Sequence, residues 1–466
     1  MPTLFSRHAL LPGPGDATHV SAARVTVDGA WITAVEPADA PAEGDEDLGS
    51  DLLAPAFVDV HTHLALVALR GVDARVAARG NLVEDLYFRV EKHLQPGDVR
   101  ALAAVGAQEC LLAGTGFVSD HYYFASDVAE AMVDMGLTGL VAPTLQDLAG
   151  PGKDGWEAAI AETGDLHESA RLRAAGVTSI LGPHATDTVS DALWRRIAER
   201  ADAWQLPVHS HLAQSAAEVR RAYDRVGDTP LGLLRRLGVL DAGPAWALVH
   251  ALYTTPADRA SLDPARHLFV ACPSSQMWFG FPAPVARWQA DGVRWAVATD
   301  CAASNDSMAV NKELRAIALL RAAATTTCGP LAAWEASSGA PDAVEAARTS
   351  DRTAWTEPDH AAALLARVTS VPGALHPKHR AGVIAPGALA NLTVWDTDHP
   401  AMWPGHDPHR ALATGDVSGA LVRMMTRGAW LSARGEHAAL AQSEAWRSAR
   451  AEARDKLEAL LTRAGV

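Results

Sequence analysis

Positive charge, cysteine and long apolar runs are all scarce in this 466-residue chain, and each scarcity excludes something. Forty Lys and Arg stand against 55 Asp and Glu, a formal net charge of -15. No broad basic face is left for nucleic acid or an anionic membrane, whose phosphates need one. The four cysteines, Cys110, Cys272, Cys301 and Cys328, make no CxxC pair and no regular framework. Reduced thiols and a cytoplasmic location are therefore expected. No uninterrupted apolar stretch is long enough to cross a bilayer. The start, Met1-Pro2-Thr3-Leu4-Phe5-Ser6-Arg7, lacks the apolar centre of a secretory signal. What remains is an ordinary globular composition, 48% hydrophobic and 20% charged, in a chain able to bury a large core.

Against this background four apolar runs stand out, each ending in residues that bind metals. They are Val58-Asp59-Val60-His61-Thr62-His63, Leu206-Pro207-Val208-His209-Ser210-His211, Trp246-Ala247-Leu248-Val249-His250 and Trp295-Ala296-Val297-Ala298-Thr299-Asp300. Short β-rich runs bounded by turn residues read as buried strands. From about residue 53 such runs alternate with Ala/Leu/Arg-rich helical stretches, the mark of βα units. Eight strands are predicted near 53–60, 116–120, 136–143, 177–183, 205–211, 245–250, 267–272 and 294–300. Closed on themselves they make a (β/α)8 TIM barrel over 53–374, whose C-terminal strand ends converge on one mouth.

The chain ends read differently. Residues 23–27 and 31–35 are β segments between Asp/Gly and Pro/Ala turns, and short strands return at 382–384, 392–395 and 420–423. Residues 1–52 with 375–435 are therefore expected to pair into a small composite β domain, and 436–466 to hold a C-terminal helix. Helical segments are expected from Asp300 to about residue 370. Two long connections, 64–95 and 144–176, are candidate substrate lids.

His61 and His63 are two apart, so on a regular strand both rings share a face and can address one ion. Of His209 and His211, the latter lies nearer the mouth and is the better placed ligand; His209 either supports a ligand or packs in the strand. His250, with an ordinary pKa near neutrality, could take a proton from water or polarise a substrate group. Asp300 ends an apolar run, a poor place for an unpaired carboxylate unless it binds an ion or accepts a water proton. A bridging lysine carbamate would have to end a barrel strand, and Lys92, Lys153, Lys312, Lys378 and Lys456 do not. One divalent ion follows, zinc or iron by its donors. His121-Tyr122-Tyr123-Phe124 and Gln276-Met277-Trp278-Phe279-Gly280-Phe281 follow the second and seventh strands. His121, Tyr123 and Trp278 from these runs either hold a flat substrate ring or pack on the barrel rim.

The chain resembles the amidohydrolase superfamily, in its branch of chlorohydrolases and aminohydrolases that includes triazine hydrolases, guanine deaminases and S-adenosylhomocysteine deaminases. Leu53-Ala54-Pro55-Ala56-Phe57-Val58-Asp59-Val60-His61-Thr62-His63 is similar to the first-strand motif, with Ala56 where glycine is usual. Gly182-Pro183-His184-Ala185, His209-Ser210-His211-Leu212-Ala213, Leu248-Val249-His250 and Thr299-Asp300-Cys301-Ala302-Ala303-Ser304-Asn305 resemble later strand motifs. Gly387-Ala388-Leu389-Ala390-Asn391-Leu392 is similar to the C-terminal Gly-x-x-Ala-Asp-Leu, with Asn391 for aspartate. The resemblance implies His61, His63, His211 and Asp300 as metal ligands, His250 as the residue that orients or deprotonates water, and His184 as a substrate contact. It also implies a β-sandwich for the composite domain and a homodimer.

One departure bears on the chemistry. Deaminases of this branch have glutamate three residues after the strand-five ligand, shuttling a proton to a ring nitrogen; here it is Gln214. An amide forms hydrogen bonds but relays no proton at neutral pH. Glu218, four residues on, is expected to be solvated on the following helix. The expected function is hydrolysis by metal-activated hydroxide at an sp² carbon of a nitrogen heterocycle or amidine-like group, releasing ammonia. Halide or alkylamine displacement from a triazine-like ring is the alternative that Gln214 favours. A metal- or ligand-binding protein without catalysis is the reading from another class.

Overall fold

The computed structural model describes residues 2–72, 82–279, 281–326, 336–337, 342–343 and 360–466. Cys328, and much of the expected helical stretch after Asp300, lie outside them. The N-terminal segment forms β1 (Thr3–Pro12), β2 (Thr18–Asp28), β3 (Trp31–Pro37), β4 (Glu46–Asp47) and β5 (Leu52–Pro55). Then come β6 (Phe57–Thr62), β7 (Thr115–Tyr122), β8 (Thr138–Leu145), β9 (Val177–Ser179), β10 (Gly182–Pro183), β11 (Val208–Leu212), β12 (Trp246–His250), β13 (His267–Ala271) and β14 (Trp295–Val297). The chain closes with β15 (Leu392–Trp395), β16 (Leu421–Thr426) and β17 (Ala429–Trp430), then a helix over Glu444–Ala464.

The strands from both chain ends share one eight-stranded sheet, in the order β17-β16-β15-β5-β1-β2-β3 with β4 beside β1. Antiparallel pairing of β15 with β5 joins the ends, and Leu4, Val25, Ile32, Leu53, Val394 and Met425 are buried together there. Two expectations need correction. The run expected as one strand from 53 to 60 is divided at Ala56, so β5 belongs to this sheet and only β6 to the parallel strands. Gly382-Val383-Ile384 is not a strand. Gly382 takes φ +66°, and a Cβ there would come within 2.4 Å of the Thr369 carbonyl oxygen. This left-handed, close-packed turn needs glycine and breaks extended backbone.

The remaining strands are parallel and form two sheets, β6 to β10 and β11 to β14. Parallel bridges join the sheets on both sides, Thr62 with Asp300 and Leu181 with Val208. Val58, Val60, Leu140, Ile180, Val249 and Val270 pack together in one buried cluster, while Leu248, Phe269 and Trp295 belong to another shared with the helices. The alternation of side chains along each strand separates these two sets. The helix Asp191–Trp204 shows how the outer layer is made: Ser190 caps its first turn, and Leu193, Trp194, Ile197 and Ala201 form its buried stripe. Among the described residues no helix is long and apolar enough to cross a membrane.

Candidate metal centre and substrate cleft

Backbone bonds between β6 and the end of β14 bring the first candidate ligands together. His63 N–H donates to the Asp300 carbonyl at 2.9 Å, and Asp300 N–H to that of His61 at 3.1 Å. Behind them the buried Asp59 carboxyl accepts from Thr299 N–H at 3.1 Å and from Thr299 Oγ1 at 2.5 Å. Burial pushes Asp59 up to about 7 against these bonds. The β6–β7 register slips between Asp59 and Thr62, three steps on β6 matching two on β7. That extra residue passes the interior position from Val58 and Val60 to His61 and His63. His250 is turned differently. It follows the interior Val249, and its φ of 71° departs from the strand; Asp300 has φ 66°. Left-handed backbone at two non-glycine residues is strain of the kind that gathers at functional sites.

The side chains converge. His61 Nε2 is 3.2 Å and His63 Nε2 3.4 Å from Asp300 Oδ1, and His63 Nε2 is 3.4 Å from His211 Nε2. His61, His211, His250 and Asp300 each offer a donor atom within 4.8 Å of the others'. The ring protons decide what this cluster can hold. His63 Nδ1 is 2.5 Å from the His121 carbonyl oxygen, and His211 Nδ1 is 3.0 Å from that of His184. A carbonyl only accepts, so both rings carry their proton on Nδ1. Two Nε2 lone pairs then face each other at 3.4 Å and cannot bond to one another. A cation between them resolves the conflict. Tetrahedral coordination with bonds of about 2.0–2.1 Å separates donors by roughly 3.3–3.4 Å, which matches the spacings here. Burial favours the neutral, metal-competent form of two of the rings, pushing His61 down to about 3 and His211 well below its usual range. For His63 burial acts downward too, but its contacts with Asp300 more than offset it.

Supporting contacts surround the cluster. His209 Nε2 lies 2.9 Å from His61 Nδ1, so His209 holds a candidate ligand. Gln276 Nε2 donates to His250 Nδ1 at 3.4 Å, and Gln276 Oε1 accepts from Ala283 N–H at 3.2 Å, which sets the amide's orientation. His250 therefore carries its proton on Nε2. Ser304 Oγ donates to Asp300 Oδ2 at 3.3 Å.

A cleft of about 500 Å³ opens over these groups; His121, Tyr123, His184, Gln214, His250 and Asp300 are in its lining. Among the described residues the His121 ring has no hydrogen-bond partner on either buried nitrogen. His184 Nδ1 meets Thr188 Oγ1 at 2.9 Å. Trp278 is not brought there: it is 71% exposed and outside the lining. Glu218 corrects an expectation. It sits at the start of the helix Ala216–Val226 but is fully buried, accepting from Thr186 Oγ1 at 2.6 Å and from Gln214 N–H at 2.9 Å. The carboxylate turns back to satisfy donors at the helix start instead of meeting solvent. Of the two long connections, the first contributes Leu66, Val83, Tyr87, Phe88 and Glu91 to the cleft, its residues 73–81 lying outside the described ones. From the second, Thr144 lines the cleft, while Trp156–Glu168 is a helix. Glu91, pushed up to about 7 by burial, was not found from sequence; its only signal is its place in that first connection.

Imidazoles and a carboxylate gathered at the C-terminal ends of parallel strands define the chain as a metal-dependent hydrolase. The sequence pattern of the amidohydrolase family matches residues 52–431. The chain belongs to the amidohydrolase family. It is a hydrolase of carbon–nitrogen bonds other than peptide bonds. It is 28% identical over 391 residues to a 5-methylthioadenosine/S-adenosylhomocysteine deaminase of Moorella thermoacetica, covering 84% of each chain. Its fold matches an adenosine deaminase of Xanthomonas campestris with bound zinc at TM-score 0.78, with 23% identity, 99% of this chain and 98% of that one. It also matches the zinc complex of an atrazine chlorohydrolase from Arthrobacter aurescens at TM-score 0.78, with 18% identity, 98% of this chain and all of that one (100%).

Proposed function

We propose that the protein is a mononuclear metal-dependent aminohydrolase that removes ammonia from a small nitrogen heterocycle. The observation that carries this is the pair of facing Nε2 lone pairs of His63 and His211 beside Asp300 Oδ1, a donor set that calls for a cation. His61, His63, His211 and Asp300 would hold one divalent ion, zinc by the donor spacing and iron as the other candidate. When bound, that ion acts as a Lewis acid and lowers the pKa of an attacking water.

The chain's own residues supply the rest. Asp300, steadied at Oδ2 by Ser304, accepts the water's proton. His250 donates from Nε2 and orients the water, because Gln276 occupies its Nδ1. Attack falls on an sp² carbon of the heterocycle or of an amidine-like group; Asp300 then passes the proton it took from water to the departing amino group, and ammonia leaves. His121, His184 and Tyr123 position the ring, and Gln214 hydrogen-bonds to it as donor or acceptor. Trp278 would reach substrate only by a movement of its segment. The names of the deaminase relatives point to 6-aminopurine nucleosides and their thioethers as the first compounds to try.

The same reading takes the two bridged parallel sheets as one closed (β/α)8 barrel over 53–374, with 1–52 and 375–435 as a composite β-sandwich and 436–466 as a terminal helix. It places a homodimer in the cytoplasm, consistent with free, buried Cys110, Cys272 and Cys301. A second reading, chloride or alkylamine displacement from a triazine-like ring, is favoured by Gln214, which cannot relay a proton to a ring nitrogen. A panel of purine nucleosides, pterins, pyrimidines and triazines, followed for ammonia and chloride with and without a chelator, decides between them. No turnover of any compound by metal-loaded protein would leave the non-catalytic reading.

A further inference from the structure

A second pocket, open to solvent, lies at the opposite end of the parallel strands from the catalytic cleft. Thr178 lines it near the start of β9, whereas the cleft residue His184 follows the end of β10. His167, Arg173, His376, Lys378 and His379 give it a basic lining, and among the described residues the exposed Glu168 is its one carboxylate. Three buried polar atoms of this lining have no hydrogen-bond partner among the described residues: Thr178 Oγ1, His376 Nε2 and His167 Nδ1. Buried polar groups are ordinarily paired, so three orphans around one cavity call for an occupant.

The protonation of His376 says what kind. The backbone N–H of Lys378 donates to His376 Nδ1 at 3.1 Å, so Nδ1 is an acceptor and the ring proton sits on Nε2. His376 is only 4% exposed, and it offers an N–H with nothing to accept it. The Thr178 hydroxyl, 1% exposed, is a second donor. A metal ion is the wrong partner, because it needs a bare ring nitrogen and would be repelled by Lys378 and Arg173. An oxyanion accepts from both donors and is attracted by both cations.

We propose that this cavity is a binding site for a small oxyanion of the phosphate type, held by His376, Thr178, Lys378 and Arg173. This site is separate from the reacting centre and independent of what that centre hydrolyses. Burial, together with His379, His167 and Lys378, pushes His376 down to about 3; burial with Arg173, His167 and Lys378 pushes His379 down to about 4. An anion among these groups offsets their mutual repulsion and raises His379, with Glu168 opposing it, while His376 stays neutral because Lys378 N–H occupies its Nδ1. Binding then takes up protons and tightens as pH falls.

Calorimetric titration of inorganic phosphate into the full chain tests this. One saturable site is expected, weakened about tenfold by Lys378→Ala and by Thr178→Val, as for loss of one charge-assisted or buried bond. His184→Ala, in the catalytic cleft, should leave the affinity unchanged. Sulfate, fully ionised across the range, should bind more tightly at about pH 5 than at about pH 7. Absence of saturable binding would mean that water alone fills the cavity and would overturn the proposal. So would an affinity indifferent to Lys378→Ala, or one lost with His184→Ala.

Discussion

The carbonyl oxygen of His121 lies 2.5 Å from Nδ1 of His63 and thereby decides which nitrogen of His63 is free to bind. His184 does the same for His211 at 3.0 Å. In both cases the residue whose backbone sets a candidate ligand also lines the cleft. In the proposed scheme metal binding and substrate placement are thus mechanically linked along two strand ends.

Asp300 carries two duties in the proposed chemistry, and Asp300→Asn separates them. Turnover should fall by at least about 10²–10⁴-fold, the range typical of losing a positioned acid–base group. Metal analysis of the purified variant shows whether the ion is lost as well. Full activity in the variant would overturn the assignment.

His209 touches no reacting atom in this scheme and acts through His61 at 2.9 Å. His209→Ala should weaken metal affinity by about 10–100-fold, as supporting contacts to ligands commonly do. Competition with a chromogenic chelator measures this. At saturating metal much of kcat should return, which a collapsed barrel would not allow.

Gln214→Glu discriminates between leaving groups. If deamination proceeds without the usual carboxylate shuttle, restoring it should raise ammonia release, with about 10²–10⁴-fold as the ceiling. Unchanged or lower ammonia release, with chloride released from a triazine, would favour the displacement chemistry.

Gln276→Leu removes the amide that fixes His250. A drop in kcat with little change in KM is expected, together with a shift of the pH–rate profile once His250 is free to change tautomer. Parallel losses in kcat and 1/KM would instead indicate damage to the cleft.

Burial raises Glu218 from its ordinary carboxylate value to about 7, further helped by Asp187. A carboxyl raised in the folded state contributes stability that is fully present below its unfolded pKa and lost as pH rises through the folded one. Thermal stability should therefore decline as pH rises from about 5 to about 8, and Glu218→Gln should flatten that decline. An equal pH slope in both proteins, read by calorimetric Tm, would remove Glu218 from the account.

Much of the parallel core was legible because its strands are short apolar runs separated by helical stretches, and burial on both faces leaves little choice of residue. β1 went unread because polar Ser6, Arg7 and His8 interrupt its apolar residues, and it is stabilised by pairing with β2 and β5. Glu218 was misjudged for a related reason: a glutamate early in a helix ordinarily faces water, and only the approach of Thr186 and the Gln214 amide makes burial affordable. Glu91 and Phe88 reach the cleft through a connection whose path no local pattern encodes.

The amino-acid order on its own settled which residue types end the strands, and so which groups could gather there: imidazole and carboxylate, with the amide of Gln214 close by. It did not settle where those side chains point. Strict alternation from Val58 and Val60 would have sent His61 and His63 outward, and from Val249 would have done the same to His250. The one-residue slip of β6 against β7 and the left-handed backbone at His250 reverse both. Each is a local cost imposed by neighbouring strands, and such costs exist only once the strands have been packed together.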